Sequence, residues 1–497
     1  MPSSDTRSRE RWIVAALVVG LVLWRSAVFV FWPDGYFDSD QAVTGLMAKH
    51  LSHVRAFPVF WYGQSYMLAV EAWLAAPIFR VAGVSVATLK LPLLAINLAI
   101  ALILLRTLER ETGLRPAAAA AATLVFVLAA PITAALYLTA NGGNVEPTLY
   151  VLLLWLTRRR PVWCGAILGI GFLNREFTIY GALALLILEA AHRRLFTRDG
   201  LRRAATVFAV AAALWIVAQV AKQFSSAAGP GTSVDDLGGP TNNLVEIVGR
   251  MCVNPATLAA GVHKLFTVHW PQLFGLDVLR LSDFGIESRQ WQGTRATGVL
   301  LAAAAAIALV RVAARLAAER RWRPEYEFCA YLIVVASLSL TGYVFGRCGE
   351  LDLYTMRYEL LSVLGAVGLF AWYLRVETST ALRTAWTIAL AGVIAVSVAA
   401  HARLWREYLT GAPVAAKQLL IAQLEARRIH YGYADFWVAY YVSFMTNERV
   451  VLAATDAVRI RTYNRVVDAH RAVAVRVSRT PCGNGEQVTP AFWLCEP

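Results

Sequence analysis

The chain has 497 residues, of which 58% are hydrophobic and only 16% charged, and its mean hydropathy is +0.52. Soluble globular proteins carry roughly 25% charged residues, so this composition excludes an ordinary soluble fold. The net charge of +14 gathers in short loops between apolar runs, where it encodes membrane topology. No basic helix interleaved with aromatics appears, which argues against nucleic acid as a partner. The expected fold is a polytopic α-helical membrane protein with about eleven transmembrane helices of roughly 20 residues each, followed by a small α/β domain.

In chain order, Arg7, Arg9 and Arg11 precede an apolar run at 12–32 and place the N-terminus in the cytoplasm. With no small-residue cleavage site after it, this run is expected to stay as a signal anchor. The next basic loop, RTLERETGLR (106–115), is cytoplasmic if a single span at 86–105 precedes it. Residues 33–85 then form a long external loop, in which YMLAVEAWLAAPIFRVAG (66–83) is an interfacial helix with Glu71 and Arg80 near the polar boundary. Further spans are expected at 116–138, 145–157, 161–173, 177–192, 201–222, 297–311, 326–346, 358–374 and 384–401, with a second long external loop at 223–297. The division is a transmembrane domain over 1–401 and an external domain over 402–497.

The last segment mixes charge with short β-prone runs, RVVLAA and RAVAVRV, and a helical stretch, KQLLIAQLEARR. Cys482 and Cys495 near its end are candidates for a disulfide in an oxidising periplasm, and Cys252 with Cys348 is a weaker candidate pair. No CxxC or His/Cys cluster suggests structural zinc. The Ala- and Arg-heavy usage suits a bacterial source, hence a multi-pass protein of the bacterial inner membrane.

Six polar clusters interrupt the apolar pattern. FDSDQA (37–42) carries Asp38 and Asp40 at i, i+2. Such a pair can share a divalent cation or divide into base and positioner; the alternative is a loop with Asp40 as a helix N-cap. Lys49, His50, His53 and Arg55 follow, a cationic patch suited to a lipid phosphate diester, or an amphipathic helix snorkelling toward headgroups. WYGQSYM (61–67), with Tyr62, Gln64 and Tyr66, suits a sugar, or an interfacial aromatic belt. TANGGNVEP (139–147) holds Asn141, Asn144 and Glu146 beside a glycine pair. NREF (174–177) puts Arg175 and Glu176 at the external end of an apolar hairpin, facing a cavity or pairing with each other. A last external cluster contains Arg347, Glu350, Asp352 and Arg357, the last a natural phosphate ligand at the mouth of a span. Arg25, within the first span, has no role beyond facing other helices.

An N-in first span, an external loop opening with FDSDQA, the segment WYGQSYMLAVEAW and the span KLPLLAINLAIALILL closed by a basic loop together resemble the GT-C superfamily of integral-membrane glycosyltransferases. The similarity is to the bacterial branch related to protein O-mannosyltransferases, aminoarabinose transferases and lipopolysaccharide core glycosyltransferases. It covers residues 1–200 and the YTMRYELL segment, and fades over 223–297.

The resemblance implies inverting transfer of a hexose or pentose from a polyprenyl-phosphate donor to a glycan, lipid or protein acceptor at the external face of the membrane. It implies Asp40 as general base or metal partner with Asp38 supporting, the pair holding a divalent cation such as Mg or Mn. Gln41 stands where many relatives have Glu, which weakens the case for strict metal dependence. A KPP segment that contacts donor phosphate in some relatives is absent, and Gln64 and Tyr66 occupy that region. Phosphate binding then falls to Arg357, Arg175 or His50. Tyr62, Gln64, Tyr66, Glu71, Asn144, Glu146 and Glu176 are left as substrate-binding candidates. Two other functions compete: a transporter or lipid flippase, for which internal repeats with broken helices are expected, and a non-catalytic membrane anchor for the C-terminal domain.

Overall fold

The computed structural model describes residues 4–32, 36–64, 66–225, 254–275, 278–282, 285–289, 294–319, 322–347 and 355–496. Most of them are helical. The chain runs α1 (Ser4–Phe31), α2 (Ser39–Ser52), α3 (Val70–Ala82), α4 (Val86–Thr112), α5 (Pro116–Val127), α6 (Pro131–Leu136), α7 (Glu146–Thr157), α8 (Pro161–Asn174), α9 (Ile179–Ala191) and α10 (Arg198–Lys222). Then come α11 (Pro255–Lys264), α12 (Trp270–Leu273), the hairpin β1 (Val278–Ser282) and β2 (Gly285–Arg289), α13 (Thr294–Glu319), α14 (Glu327–Arg347), α15 (Ser362–Val376) and α16 (Thr380–Gly411).

A helix stands at each of the eleven expected spans. Among the described residues, however, only five segments are long and apolar enough to cross a membrane: Ser8–Phe31, Val86–Thr112, Arg198–Lys222, Pro324–Gly346 and Thr380–Ala426. Others are cut short by sequence. Pro131 ends the run that begins at Pro116 and splits one expected span into α5 and α6, because proline cannot donate into the preceding turn. By contrast α4 is long because both ends are specified: Ser85 and Thr88 form a reciprocal capping box, and Gly113 stops the helix with φ +69°.

Polar side chains fasten α1 and α4 at three levels. Arg11 pairs with Glu109 at one end. In the middle the buried Arg25 donates from Nη2 to Asn97 Oδ1 at 2.5 Å and from Nη1 to the Phe126 carbonyl at 2.5 Å, joining α1, α4 and α5. At the other end Lys90 Nζ donates to the carbonyls of Phe29 (3.0 Å) and Tyr36 (2.9 Å). Although Arg25 Nε has no acceptor among the described residues, each buried cation finds some, as the cost of burying charge demands. The last of these ties down the chain that carries Asp38 and Asp40.

Helix α16 is continuous through residue 401, past the expected boundary, to Gly411. It is held to the bundle by Ser397 Oγ donating to the Leu128 carbonyl (2.7 Å), His401 Nε2 on the Ala129 carbonyl (2.9 Å) and Trp405 Nε1 donating to the Trp24 carbonyl (3.1 Å). The C-terminal domain follows: α17 (Ala416–Ala426), β3 (Tyr431–Ala434), α18 (Phe436–Met445), β4 (Val451–Ala454), α19 (Arg461–Ala469), β5 (Val475–Ser478), β6 (Glu486–Thr489) and β7 (Phe492–Cys495). Its sheet has the order β4-β3-β5-β7-β6. β3 is parallel to β4 and β5, with α18 and α19 as crossovers, and β7 is antiparallel to β5 and β6. A Cys482–Cys495 disulfide ties the β5–β6 connection to the end of β7; Cys252 and Cys348 lie outside the described residues.

This domain is packed onto the transmembrane part through α2. The Tyr441 amide donates to Ser39 Oγ (3.2 Å), and Phe444 lies against Phe37 with ring centroids 5.3 Å apart. A Cβ at Gly45 would run into the Phe444 ring, so only glycine lets α18 approach this closely. Both parts contribute to one continuous apolar core.

Candidate active site

The site begins at the N-terminus of α2. Asp38 is the N-cap and accepts from the Gln41 amide at 3.0 Å. The capping role expected for Asp40 therefore belongs to Asp38, and Asp40 is free in the first turn with 21% of its side chain exposed. Gln41 is structural: its Nε2 donates to the Tyr36 carbonyl (3.2 Å) and its Oε1 accepts from the Ala140 amide (3.4 Å).

Arg357, in a 3₁₀ turn at Thr355–Glu359, brings Nη1 to 3.9 Å from Asp40 Oδ2. Its guanidinium lies over the Tyr358 ring at 5.0 Å, and Arg175 lies over the same ring at 5.4 Å. One aromatic side chain thus gathers the cations of two distant segments. Arg175 is 3.9 Å from Glu176, too far for a hydrogen bond, and turns instead to the Gly142 carbonyl (3.3 Å) and Met67 Sδ (3.2 Å). The glycine pair makes this possible. Gly142 and Gly143 have φ of +89° and +92°, and a Cβ on Gly143 would meet Arg175 Cβ at 2.9 Å.

A third cation was not foreseen. Arg459, just before α19, donates from Nη1 to the Gly63 carbonyl (3.1 Å) and lies over Trp61 at 5.2 Å. Trp61 Nε1 donates to Thr44 Oγ1 (2.9 Å), which lies 3.5 Å from the Asp40 carbonyl. The 61–67 loop is therefore clasped between Arg459 at Gly63 and Arg175 at Met67.

Electrostatics follow from this arrangement. Burial, then the neighbouring Asp38, pushes the Asp40 carboxyl up to about 6 against the opposing pull of Arg357, Arg459 and Arg175. Among the described residues all three arginines keep a buried Nε with no hydrogen-bond acceptor. Buried N–H groups are normally paired; what sets these three apart from other arginines whose Nε lacks a hydrogen bond, such as Arg25, is that their charges converge on one carboxylate.

Several sequence candidates turn out to be supports and not lining. His50 is buried between Tyr62 OH (3.1 Å) and Glu448 (3.0 Å), which removes it as a phosphate ligand and seals Tyr62 inside. Glu71 is buried and accepts from the amides of Gly142 (2.8 Å) and Gly143 (3.0 Å), fixing the glycine turn; burial pushes its carboxyl upward. Glu146 is buried with its carboxylate accepting from Val145, and Asn144 donates to the Leu136 carbonyl (3.2 Å). Gln64, Tyr66 and Glu176 stay partly exposed. Arg347's side chain, Glu350 and Asp352 lie outside what is described.

The described residues do not by themselves assemble a divalent-cation site. Among the described residues no group of three His, Cys, Asp or Glu side chains converges. Asp38 is spent as a helix cap, Gln41 as a clamp, and Asp40 faces a guanidinium. No step below is routed through a divalent cation.

The sequence matches no protein-family model and no curated protein. Solved structures do match. The apo crystal structure of the Archaeoglobus fulgidus oligosaccharyltransferase aligns over 96% of this chain and 70% of its own, at TM-score 0.52 and 14% identity. The archaeal oligosaccharyltransferase AglB from Archaeoglobus fulgidus, in complex with an inhibitory peptide and a dolichol-phosphate, aligns over 94% and 69% at TM-score 0.50 and 13% identity. Arabinosyltransferase EmbB from Mycobacterium smegmatis aligns over 72% of this chain and 30% of its own at TM-score 0.37 and 16% identity, too loosely to carry weight. At these identities the likeness shows the fold alone: a multi-helix membrane fold shared over nearly the whole chain.

Proposed function

We propose that this protein is an integral-membrane glycosyltransferase that moves a hexose or pentose from a polyprenyl-phosphate donor to a hydroxyl of a glycan, lipid or protein acceptor. The observation that carries the reading is the Asp40 carboxylate facing Arg357 at 3.9 Å, with Arg175 and Arg459 nearby and the Nε atoms of all three arginines without acceptors among the described residues. The likeness to a structure holding a dolichol-phosphate supports a phosphate borne on a polyprenyl lipid. So does an apolar groove of about 240 Å³ between α13, α14, α15 and α16, lined by residues such as Ala305, Ile333, Ala366, Trp386 and Leu390. It extends to Ser362, five residues beyond Arg357, and suits an isoprenoid chain whose phosphate reaches the arginines. We place the site at the external face of a bacterial inner membrane, with the N-terminus cytoplasmic.

The chemistry is a single inverting displacement. The acceptor oxygen attacks the anomeric carbon and forms the new glycosidic bond while its proton passes to Asp40. The bond from the anomeric carbon to the phosphate oxygen breaks, and its electron pair leaves with the polyprenyl phosphate. Asp38 positions Asp40 by capping α2 and raises its basicity by charge. A carboxylate poised near 6 is a better base than an ordinary one. Arg357 and Arg175 stabilise the charge that grows on the departing phosphate, a task that a metal would otherwise perform.

The test uses a labelled polyprenyl-phosphate sugar and membranes containing the protein. Transfer to an acceptor that disappears in Asp40→Asn and Asp40→Ala, with insertion and expression unchanged, supports the reading. Full activity in both variants sinks the assignment of Asp40. Movement of label across the membrane without transfer points to the flippase, and neither to the anchor.

A further inference from the structure

Arg459 belongs to the C-terminal domain, yet its side chain is not used there. Its backbone amide and that of Ile460 donate to Tyr440 OH at 2.6 and 3.0 Å, which fixes the turn and sends the side chain outward. Nearby acids are engaged elsewhere: Asp456 accepts from the Phe436 and Ala457 amides, and Asp435 pairs with Arg479 at 3.0 Å. Among the described residues no carboxylate lies within ion-pair distance of Arg459, and its buried Nε has no acceptor. Only the Gly63 carbonyl and the faces of Trp61 and Phe436 hold it, on the loop whose other end Arg175 grips.

We propose that Arg459 is a ligand of the substrate phosphate, the third guanidinium of the cradle made by Arg357 and Arg175, so that the C-terminal domain completes the binding site. The proposal rests on the polyprenyl-phosphate reading above. Three planar donors from three segments give a phosphate more fixed N–H groups than Arg357 and Arg175 alone, and arginine suits the task because its fork matches phosphate oxygens. It also gives the tight joint between α2 and α18 a purpose: a mispositioned domain would withdraw one ligand.

The experiment measures binding of undecaprenyl phosphate to the detergent-solubilised full-length protein, in wild type, Arg459→Gln, Arg459→Lys and Arg357→Gln. Loss of one charge-assisted hydrogen-bonding group predicts a Kd about 10- to 100-fold higher in Arg459→Gln. Arg459→Lys, which keeps the charge and the stem on Trp61 but loses the fork, is expected several-fold weaker than wild type. In transfer assays Arg459→Gln should raise KM for the lipid donor more than it lowers kcat, an effect that a purely structural role does not produce. If Arg459→Gln fails to fold, Arg459→Lys decides alone. Unchanged affinity in the folded variants, with Arg357→Gln weakened, overturns the role of Arg459 and leaves the function standing. A wild-type protein that does not bind undecaprenyl phosphate overturns both.

Discussion

Helix α2 carries a charged cluster at each of its ends, and the two use charge in opposite ways. At its last turn, Glu448 lies between cations: Lys49 at 2.5 Å, His50 at 3.0 Å and Arg55 at 3.8 Å, with Tyr463 OH donating at 2.7 Å. Burial alone would raise the Glu448 carboxyl, but His50 and Lys49 outweigh it and hold it well below the usual carboxylate range. At its first turn, Asp40 faces Arg357 only loosely, and the arginines around it keep N–H donors without acceptors. At the first joint the charges pair with each other within the protein; at the other, three arginine Nε groups have no acceptor among the described residues, the opening that the proposed phosphate would fill. That contrast separates a cluster that fastens from a cluster that binds, although from sequence both are equally a patch of mixed charge.

The comparison breaks most sharply at Asp40. Asp40→Asn removes the base while keeping size and helix, and a general base contributes about 10²–10⁴-fold. Transfer is expected to fall by about 10³-fold, roughly 4 kcal/mol, with thermal stability unchanged or slightly raised because a buried charge is gone. Initial rates and melting curves on the same preparation check both halves. A stability loss as large as the rate loss would make Asp40 a fastener like Glu448. Arg357→Gln comes next: about 10²-fold in kcat/KM, the scale of one removed electrostatic stabiliser, again with little change in melting.

Much of this distinction was legible in the residues. Asp40, Arg175 and Arg357 stand out because each interrupts apolar sequence, where an ionised group is costly and must have a reason. Arg459 does not stand out. It sits in DAVRIRTYNR, a polar stretch of a soluble-type domain in which arginine costs nothing, and only tertiary packing brings it to Trp61. His50 and Tyr62 misled for the complementary reason: polar residues beside a candidate base look like lining, and their burial against Glu448 depends on a segment about 400 positions away. Hydropathy marks where apolar sequence stops and not where a helix ends, and α16 continues past 401 as ARLWREYLTG. The strands were more readable: RVVLAA and RAVAVRV contain β4 and most of β5.

Glu448→Gln probes the fastening side. It leaves Lys49 and His50 buried without their anion, and breaking such a pair costs about 2–3 kcal/mol where some solvent remains, below the 3–5 of a fully buried one. The expected result is a lower melting temperature and faster proteolysis of the C-terminal domain. Because the Glu448 carboxyl is depressed in the folded protein, its contribution is complete above the ordinary carboxylate value near 4.3 and fades as pH falls below it. Wild type should therefore lose stability in acid more steeply than Glu448→Gln. Equal acid sensitivity of the two proteins would remove Glu448 from the joint's energetics.

The smallest expected effect is also the most discriminating, since it reads the Asp40 carboxyl directly. With that group near 6, kcat/KM should rise with pH through about 6, because the base must be ionised to accept the proton. Asp38 raises this value and Arg459, Arg175 and Arg357 lower it. Asp38→Asn keeps the helix cap, since asparagine caps as well as aspartate, and removes the negative neighbour, so the acid limb should move to lower pH. Arg459→Gln removes a positive neighbour, so the limb should move to higher pH. Each shift is expected to be under about one unit, the size of a single charge interaction near a protein surface. Two substitutions on different domains that displace one limb in opposite directions would identify Asp40 as the titrating base and locate Arg459 beside it. A loss of packing predicts no such opposition, because general loosening would hydrate Asp40 and move both limbs the same way.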